Sequence, residues 1–470
     1  MITTNHPSPP ARSKLILATC CLSLLVVSMD VTIVNVALPA IRRELGASVA
    51  DLQWVVDAYT IVLASFLMLG GATADRLGRR RVFRWGMALF TFGSVLCSFA
   101  DSTTVLVMAR IVQALGGSML NPVAMAIVVH TFPAPADRAR AIGIWGAVAG
   151  IAMALGPLAG GVLTQAFGWR SVFWINLPIG LLALWLTSRY IPESRAPTPR
   201  RPDTVGQILL LTGLAALIYT LIEAPRANGV EAGGAALLAA AAFIALLIYE
   251  PRRHEPLLDL RFFRSLPFST ATLIAISMFA AMGAFLFLGS IYLQETRGLS
   301  APLAGLCLLP MAVAVIGLSP LSGRMVAVRG ARPSLLISGA ALVLSTLMLT
   351  RLAADTPLPM VLAAFFVFGC GFGMVNAPIT YAAVSGLPRA QAGLASAIAS
   401  TSRQIGVSLG VALAGSLTGD RVADFAAATH RVWWILAGSG ALIVGLALLA
   451  TGARGRASAE RVAHLLEEPK

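Results

Sequence analysis

Acidic side chains are scarce in this sequence: 21 Asp and Glu stand among 470 residues, and only 12% of the chain is charged. Histidine and cysteine are scarcer still, at five each. A soluble domain of this length needs a charged surface. The shortage, with 57% hydrophobic residues and a mean hydropathy of +0.81, excludes a soluble globular protein. Cys20, Cys21, Cys97, Cys307 and Cys370 all lie in apolar runs, with neither metal-ligand spacing nor a disulfide framework. No nucleophile triad, metal cluster or Walker sequence stands out, so the chain reads as a non-enzyme with no metal and no cofactor.

What the sequence has in abundance is long apolar runs. A run of about 18 residues or more crosses roughly 30 Å of hydrocarbon, and about fourteen such runs lie between 15–39 and 432–451. The formal charge of +14 would suggest nucleic acid in a soluble chain, but here the basic residues sit in short loops, which predicts topology and no nucleic-acid partner. With the N-terminus inside, 25 of the 35 Lys and Arg fall on the inner side and 8 on the outer; Arg110 and Arg403 fall within spans. This bias predicts a multi-pass protein of a cell membrane, expected to be a bacterial inner membrane, with both termini cytoplasmic. The first run is too long for a signal peptide and lacks a cleavage site, so it is expected to stay.

Three echoes point to an internal repeat. "GATADRLGRR" (71–80) returns weakly as "GRMVAVRGAR" (323–332); Gly143, Gly156 and Gly160 are matched by Gly393, Gly406 and Gly410; "MLN" (119–121) returns as "MVN" (374–376). The offsets lie between 250 and 255, longer than six spans require, which leaves room for two extra helices. Chance similarity between Gly- and Ala-rich helices is the competing explanation of any single echo. The predicted organisation is an all-α membrane protein: a cytoplasmic segment (1–14), a six-helix bundle (15–190), a linker with two inserted helices (191–265), a second six-helix bundle (266–451) and a cytoplasmic tail (452–470). The Pro- and Arg-rich stretch 191–204 cannot continue a helix.

Four ionisable residues fall inside spans, where each costs at least about 2.5 kcal/mol and faces a partner or a water-filled cavity. At 1.5 Å per residue Asp30 lies about 24 Å along its helix, and Asp57, Arg110 and Arg403 come to a similar layer. This predicts a polar cavity. Asp30 reads as a carboxylate that takes and releases protons, since apolar surroundings favour the acid and an approaching Arg110 the carboxylate; a purely structural pair with Arg110 is the alternative. Asp57 reads as an anionic handle for a cationic substrate, a second proton site, or a solvated rim residue. Arg403 either binds anionic groups or holds neighbouring helices together.

With their surroundings, these residues resemble the major facilitator superfamily, specifically its fourteen-helix drug:proton antiporter branch, along nearly the whole chain. "MDVTIVNVALP" resembles the first-helix signature of that branch, with Asp30 and Asn35 at its polar positions. "GATADRLGRRR" is similar to the superfamily loop between helices 2 and 3, through Gly71, Asp75, Arg76, Gly78, Arg79 and Arg80. "RIVQALGG" resembles the helix 4 motif tied to proton coupling, with Arg110 and Gln113 in place and Ala114 departing from the usual glycine. "GAVAGIAMALGPLAGG" matches the antiporter motif of helix 5 through Gly146, Gly150, Gly156, Pro157, Gly160 and Gly161, and "WRSVFWINLPIG" resembles the segment after helix 5 in that branch. Small residues at such spacing also allow close helix packing by themselves, and Pro157 permits a bend.

The resemblance implies a proton-driven exporter working by alternating access. Asp30 would exchange protons, Arg110 tune it, and Asp57 attract cations. Met119, Trp145, Met282, Phe285 and Phe372, with Asn35 and Asn376, would line an adaptable pocket, although such stripes also serve plain packing. The expected partners are small-molecule substrates, protons and the lipid bilayer, with the chain a monomer and its substrates lipophilic cations or neutral amphiphiles. An exporter dedicated to one endogenous metabolite shares every motif; a non-transporting receptor is disfavoured by the small loops.

Overall fold

The computed structural model describes residues 10–196, 202–224, 229–384, 392–419, 425–452, 455 and 457–462. Among them no strand occurs, and the helices are α1 (Pro10–Leu45), α2 (Val49–Leu77), α3 (Arg79–Ser98), α4 (Thr103–Thr131), α5 (Pro135–Phe167), α6 (Ser171–Trp174), α7 (Asn176–Tyr190), α8 (Thr204–Glu223), α9 (Gly229–Tyr249), α10 (Leu266–Ile291), α11 (Ala301–Cys307), α12 (Leu309–Arg329), α13 (Ala331–Leu349), α14 (Leu358–Gly373), α15 (Asn376–Val384), α16 (Ala392–Thr418) and α17 (Phe425–Ala450). Three pairs, α6–α7, α11–α12 and α14–α15, each continue one rod across a short break. Twelve spans are long and apolar enough to cross a membrane. The two remaining rods, α3 and α16, are diluted by Arg79, Arg80, Arg81 and Arg84 in one and by Ser, Thr, Gly and Arg403 in the other.

Local chemistry sets the ends of these rods. Ser48 caps α2 in a reciprocal capping box with Asp51, satisfying two backbone donors that the first turn leaves free. Gly78, at φ 114°, ends α2 and starts α3, a conformation open to glycine alone. Gly330, at φ 75°, does the same between α12 and α13. The two glycines occupy matching places in the first echo.

Neighbour packing is similar in the two halves of the chain. Helices α1 to α7 form one bundle and α10 to α17 another, and the neighbour pairings repeat: α1 on α5 and α10 on α16, α2 on α4 and α12 on α14, α3 on α7 and α13 on α17. Gly156 and Gly160 bring α5 against Thr32 and Ile33 of α1; Gly406 and Gly410 bring α16 against Ile276 and Ala280 of α10. A side chain at any of these four would collide with its neighbour, so missing Cβ atoms set both joints. The inserted α8 packs on α2 and α16 across the seam between bundles, while α9 lies on α8 and turns Leu237, Ile244, Leu247 and Ile248 outward.

The bundles meet along two seams, α2 on α16 and α5 on α11 and α12. At the end away from the termini the closure is tight. Arg42 pairs with Glu295 at 2.8 Å, Gln294 donates to the Val36 carbonyl, Gly161 abuts Ala301, and Gly305 abuts Pro157. Nearer the termini the glycines of α5 and α12 make no such joint: a Cβ at Gly143, Gly146, Gly150, Gly317 or Gly323 would meet nothing within 4 Å.

Candidate functional site

Asp30 sits midway along α1 and is fully buried. Its Oδ2 accepts from Nη1 of Arg110 on α4. Its Oδ1 accepts from Gln113 Nε2 at 2.8 Å and from Asn176 Nδ2, on α7, at 3.3 Å. Both amides also donate to the Ser94 hydroxyl of α3, at 2.6 and 2.9 Å. Arg110 has further partners: Nη1 donates to Gln113 Oε1 at 2.7 Å, Nε donates to the Val55 carbonyl at 3.1 Å, and the guanidinium lies 4.0 Å from the Tyr59 ring centre and 5.9 Å from that of Phe173. Five of the six rods of the first bundle thus contribute to one charged core.

A carboxylate and a guanidinium together carry no net charge, which is how a bundle tolerates both. Protonation of Asp30 would remove one side of that balance and leave Arg110 a lone cation among neutral dipoles.

The four in-span charges do not share a cavity. Asp30 and Arg110 meet inside the first bundle, not in a space between bundles. Asp57 is fully buried rather than a solvated rim residue: it lies in the α2–α16 seam beside Thr60 and the Ser408 hydroxyl of α16, and neither oxygen completes a hydrogen bond of good geometry. Arg403 lies within the second bundle, and among the described residues neither it nor Asp57 has an ion-pair partner. Depth along a helix was legible in the sequence; the side of the helix on which each charge sits was not.

The proposed pocket residues also divide. Met282, Phe285 and Phe372 are buried in the second bundle, Phe285 stacking on Phe368 at 4.1 Å between ring centres and Phe372 edge-on to Phe279 at 5.1 Å. In this structure all three pack within the helical core. Met119 and Trp145 are half-buried against the core of the first bundle. Asn35 ties its amide to the Val31 carbonyl and leaves Oδ1 unpartnered, and Asn376 is half-buried at the start of α15.

The stretch from Gly71 to Arg80, which is the end of α2, Gly78 and the start of α3, is gripped by the chain that leaves α7. Asp75 pairs with Arg79 at 3.0 Å, Arg79 N donates to the Ser194 carbonyl, Arg80 N to Glu193, and the Arg80 guanidinium to the Ser188 carbonyl. Arg76 is exposed and Gly71 packs against Pro122. In helix 5 the glycines serve different joints: Gly156 and Gly160 face α1, Gly161 faces α11, and Gly146 and Gly150 face open space.

Several working residues escaped the sequence. Ser94, Asn176 and Tyr59 complete the Asp30 site, and each is a polar group inside an apolar run, the signal that singled out Asp30. Gln53 ties the bundles together, donating to the carbonyls of Val411 and Ala412 at 3.1 and 2.8 Å. Only the tertiary structure reveals those acceptors, because they are backbone.

Comparison with known proteins agrees with this architecture. The sequence profile of the Major Facilitator Superfamily matches residues 20–411. The "Multidrug resistance protein Stp" of Mycobacterium tuberculosis is 38% identical over 398 residues, 84% of this chain and 74% of the relative. The "Tetracenomycin C resistance and export protein" of Streptomyces glaucescens is 35% identical, over 85% of this chain and 75% of the relative. Among solved structures, a bacterial homologue of the human lysosomal transporter Spinster, inward-facing and unoccupied, superposes with a TM-score of 0.66 at 16% identity, covering 98% of this chain and 99% of that one.

Proposed function

Starting from a chain that belongs to the Major Facilitator Superfamily, and so from a multi-span membrane transporter rather than an enzyme, we propose a proton-coupled antiporter that exports lipophilic cationic or neutral amphiphilic compounds by alternating access. Its fourteen rods cross a bacterial inner membrane with both termini in the cytoplasm, and it works as a monomer. The observation that carries the reading is the Asp30–Arg110 core: a titratable group with no exposed surface, wired to four other rods of one bundle. A proton arriving there loosens α1 from α4, and the bundle can then re-seat against its partner. Export is further supported by relatives named for multidrug resistance and for tetracenomycin C resistance and export. Asp57, sealed in the seam in this closed-end state, becomes available to a cationic substrate or a second proton when the seam parts.

The test uses purified protein in liposomes under an imposed pH gradient, with ethidium as the transported probe. Native protein moves ethidium uphill, and Asp30→Asn, which keeps the shape but cannot titrate, loses at least about tenfold of the gradient-driven rate. Native-rate uphill transport by Asp30→Asn would overturn the assignment.

A further inference from the structure

Two arginines lie within the spans, and they are served in opposite ways. Nε and Nη1 of Arg110 are answered by a carbonyl, a carboxylate and an amide oxygen, and its guanidinium lies against a ring. Arg403, midway along α16, has one hydrogen bond among the described residues, from Nη2 to the Thr380 hydroxyl on α15 at 2.8 Å, and its Nε is buried with no partner. Its guanidinium carbon is 5.9 Å from the Phe279 ring centre. The helices α10 to α17 contain no Asp or Glu. Glu295, in the turn after α10, is tied to Arg42 of the other bundle.

A guanidinium in such surroundings calls for a countercharge, because an uncompensated cation away from bulk water is costly. Thr380 is exposed, so the Arg403–Thr380 bond lies at the surface of the second bundle and not in its packed interior. The Thr380 hydroxyl donates onward to the Asn376 carbonyl at 3.0 Å, which leaves its lone pair to orient Arg403. Phe279, braced edge-on by Phe372, offers an aromatic surface beside the cation.

We propose that Arg403 is a binding site for the anionic group of an aromatic substrate, a carboxylate, phenolate or sulfonate, with the ring of that substrate lying against Phe279. This rests on the transporter reading above and adds lipophilic acids and zwitterions to the compounds the chain carries. Arg is suited to the role because its planar fork bonds a carboxylate with two parallel donors.

Isothermal titration of the purified full chain in detergent, with 2-naphthoate and 2-naphthamide as matched probes, tests the site at equilibrium and without a proton gradient. Native protein binds the carboxylate about tenfold more tightly than the amide, the ratio expected for one charge-assisted contact. Arg403→Gln abolishes that preference and leaves amide binding unchanged. Thr380→Val, which removes only the orienting oxygen, weakens the carboxylate about threefold and serves where Arg403→Gln does not fold. Equal binding of both probes by native protein, a preference that survives Arg403→Gln, or carboxylate binding unmoved in Thr380→Val overturns the proposal and leaves Arg403 a packing residue. Asp30→Asn keeps the preference, so loss of proton coupling and loss of the anion site are separate results.

Discussion

Single residues in this protein act through how completely their polar atoms are answered. Asp30, Arg110, Gln113, Ser94 and Asn176 exchange hydrogen bonds within a core that is at most 1% exposed. Removing one charge from such a pair strands the other, a larger loss than the pair itself is worth. Arg110→Ala is therefore expected to destabilise the protein by about 3–5 kcal/mol, and the double variant Asp30→Asn with Arg110→Met by clearly less. Thermal unfolding in detergent, followed by tryptophan emission, measures both; a single variant as stable as native protein would show that the pair carries no strain when broken.

At the scale of the element, α5 is one helix with two environments. Its C-terminal half is crowded: a Cβ on Gly160 would sit 2.8 Å from the Ile33 carbonyl of α1. Its N-terminal half is free, with nothing within 4 Å of a Cβ on Gly146. Gly160→Val should accordingly cost about 2 kcal/mol or more through overpacking and lower the unfolding temperature. Gly146→Val should unfold like native protein, because a Cβ there meets nothing, yet transport poorly if the proposed alternating-access cycle brings a partner helix against that side. Similar losses of stability in both variants would remove the distinction. This helix also marks the limit of the sequence at this scale: small-residue spacing predicted a packing face, but which glycine meets α1, which meets α11 and which meets nothing depends on how the partner helices are placed around it.

For the whole molecule the question is what holds the closed end shut. Gln53 bridges α2 to α16 by two hydrogen bonds to carbonyls, fitted where Gly415 has no side chain, and Arg42–Glu295 joins α1 to the end of α10. Two such bonds contribute about 1–2 kcal/mol to the balance between closed and open ends. Gln53→Ala should then raise the open population by roughly tenfold. Spin labels on Arg43→Cys and Ser300→Cys, both at that end, would report a longer distance in Gln53→Ala; an unchanged distribution would mean that apolar contact alone closes the end.

Much of the architecture comes from composition and repetition. Apolar run length sets the rods, because it is a local property of the chain, and the loop arginines and the echo offset carry the expectations of orientation and of two inserted helices. Asp30 and Arg110 were also visible, since a charged group in hydrocarbon stands out in one dimension, and Gln113 through the resemblance of its helix 4 motif. Which polar groups meet was decided by tertiary structure alone: Asp57 went to the seam, Arg403 to a separate face, and Phe285 into the core. A helix displays all its sides in sequence at once, and only packing determines which side is inward; the backbone carbonyls that accept from Arg110 and Gln53 have no sequence signature whatever.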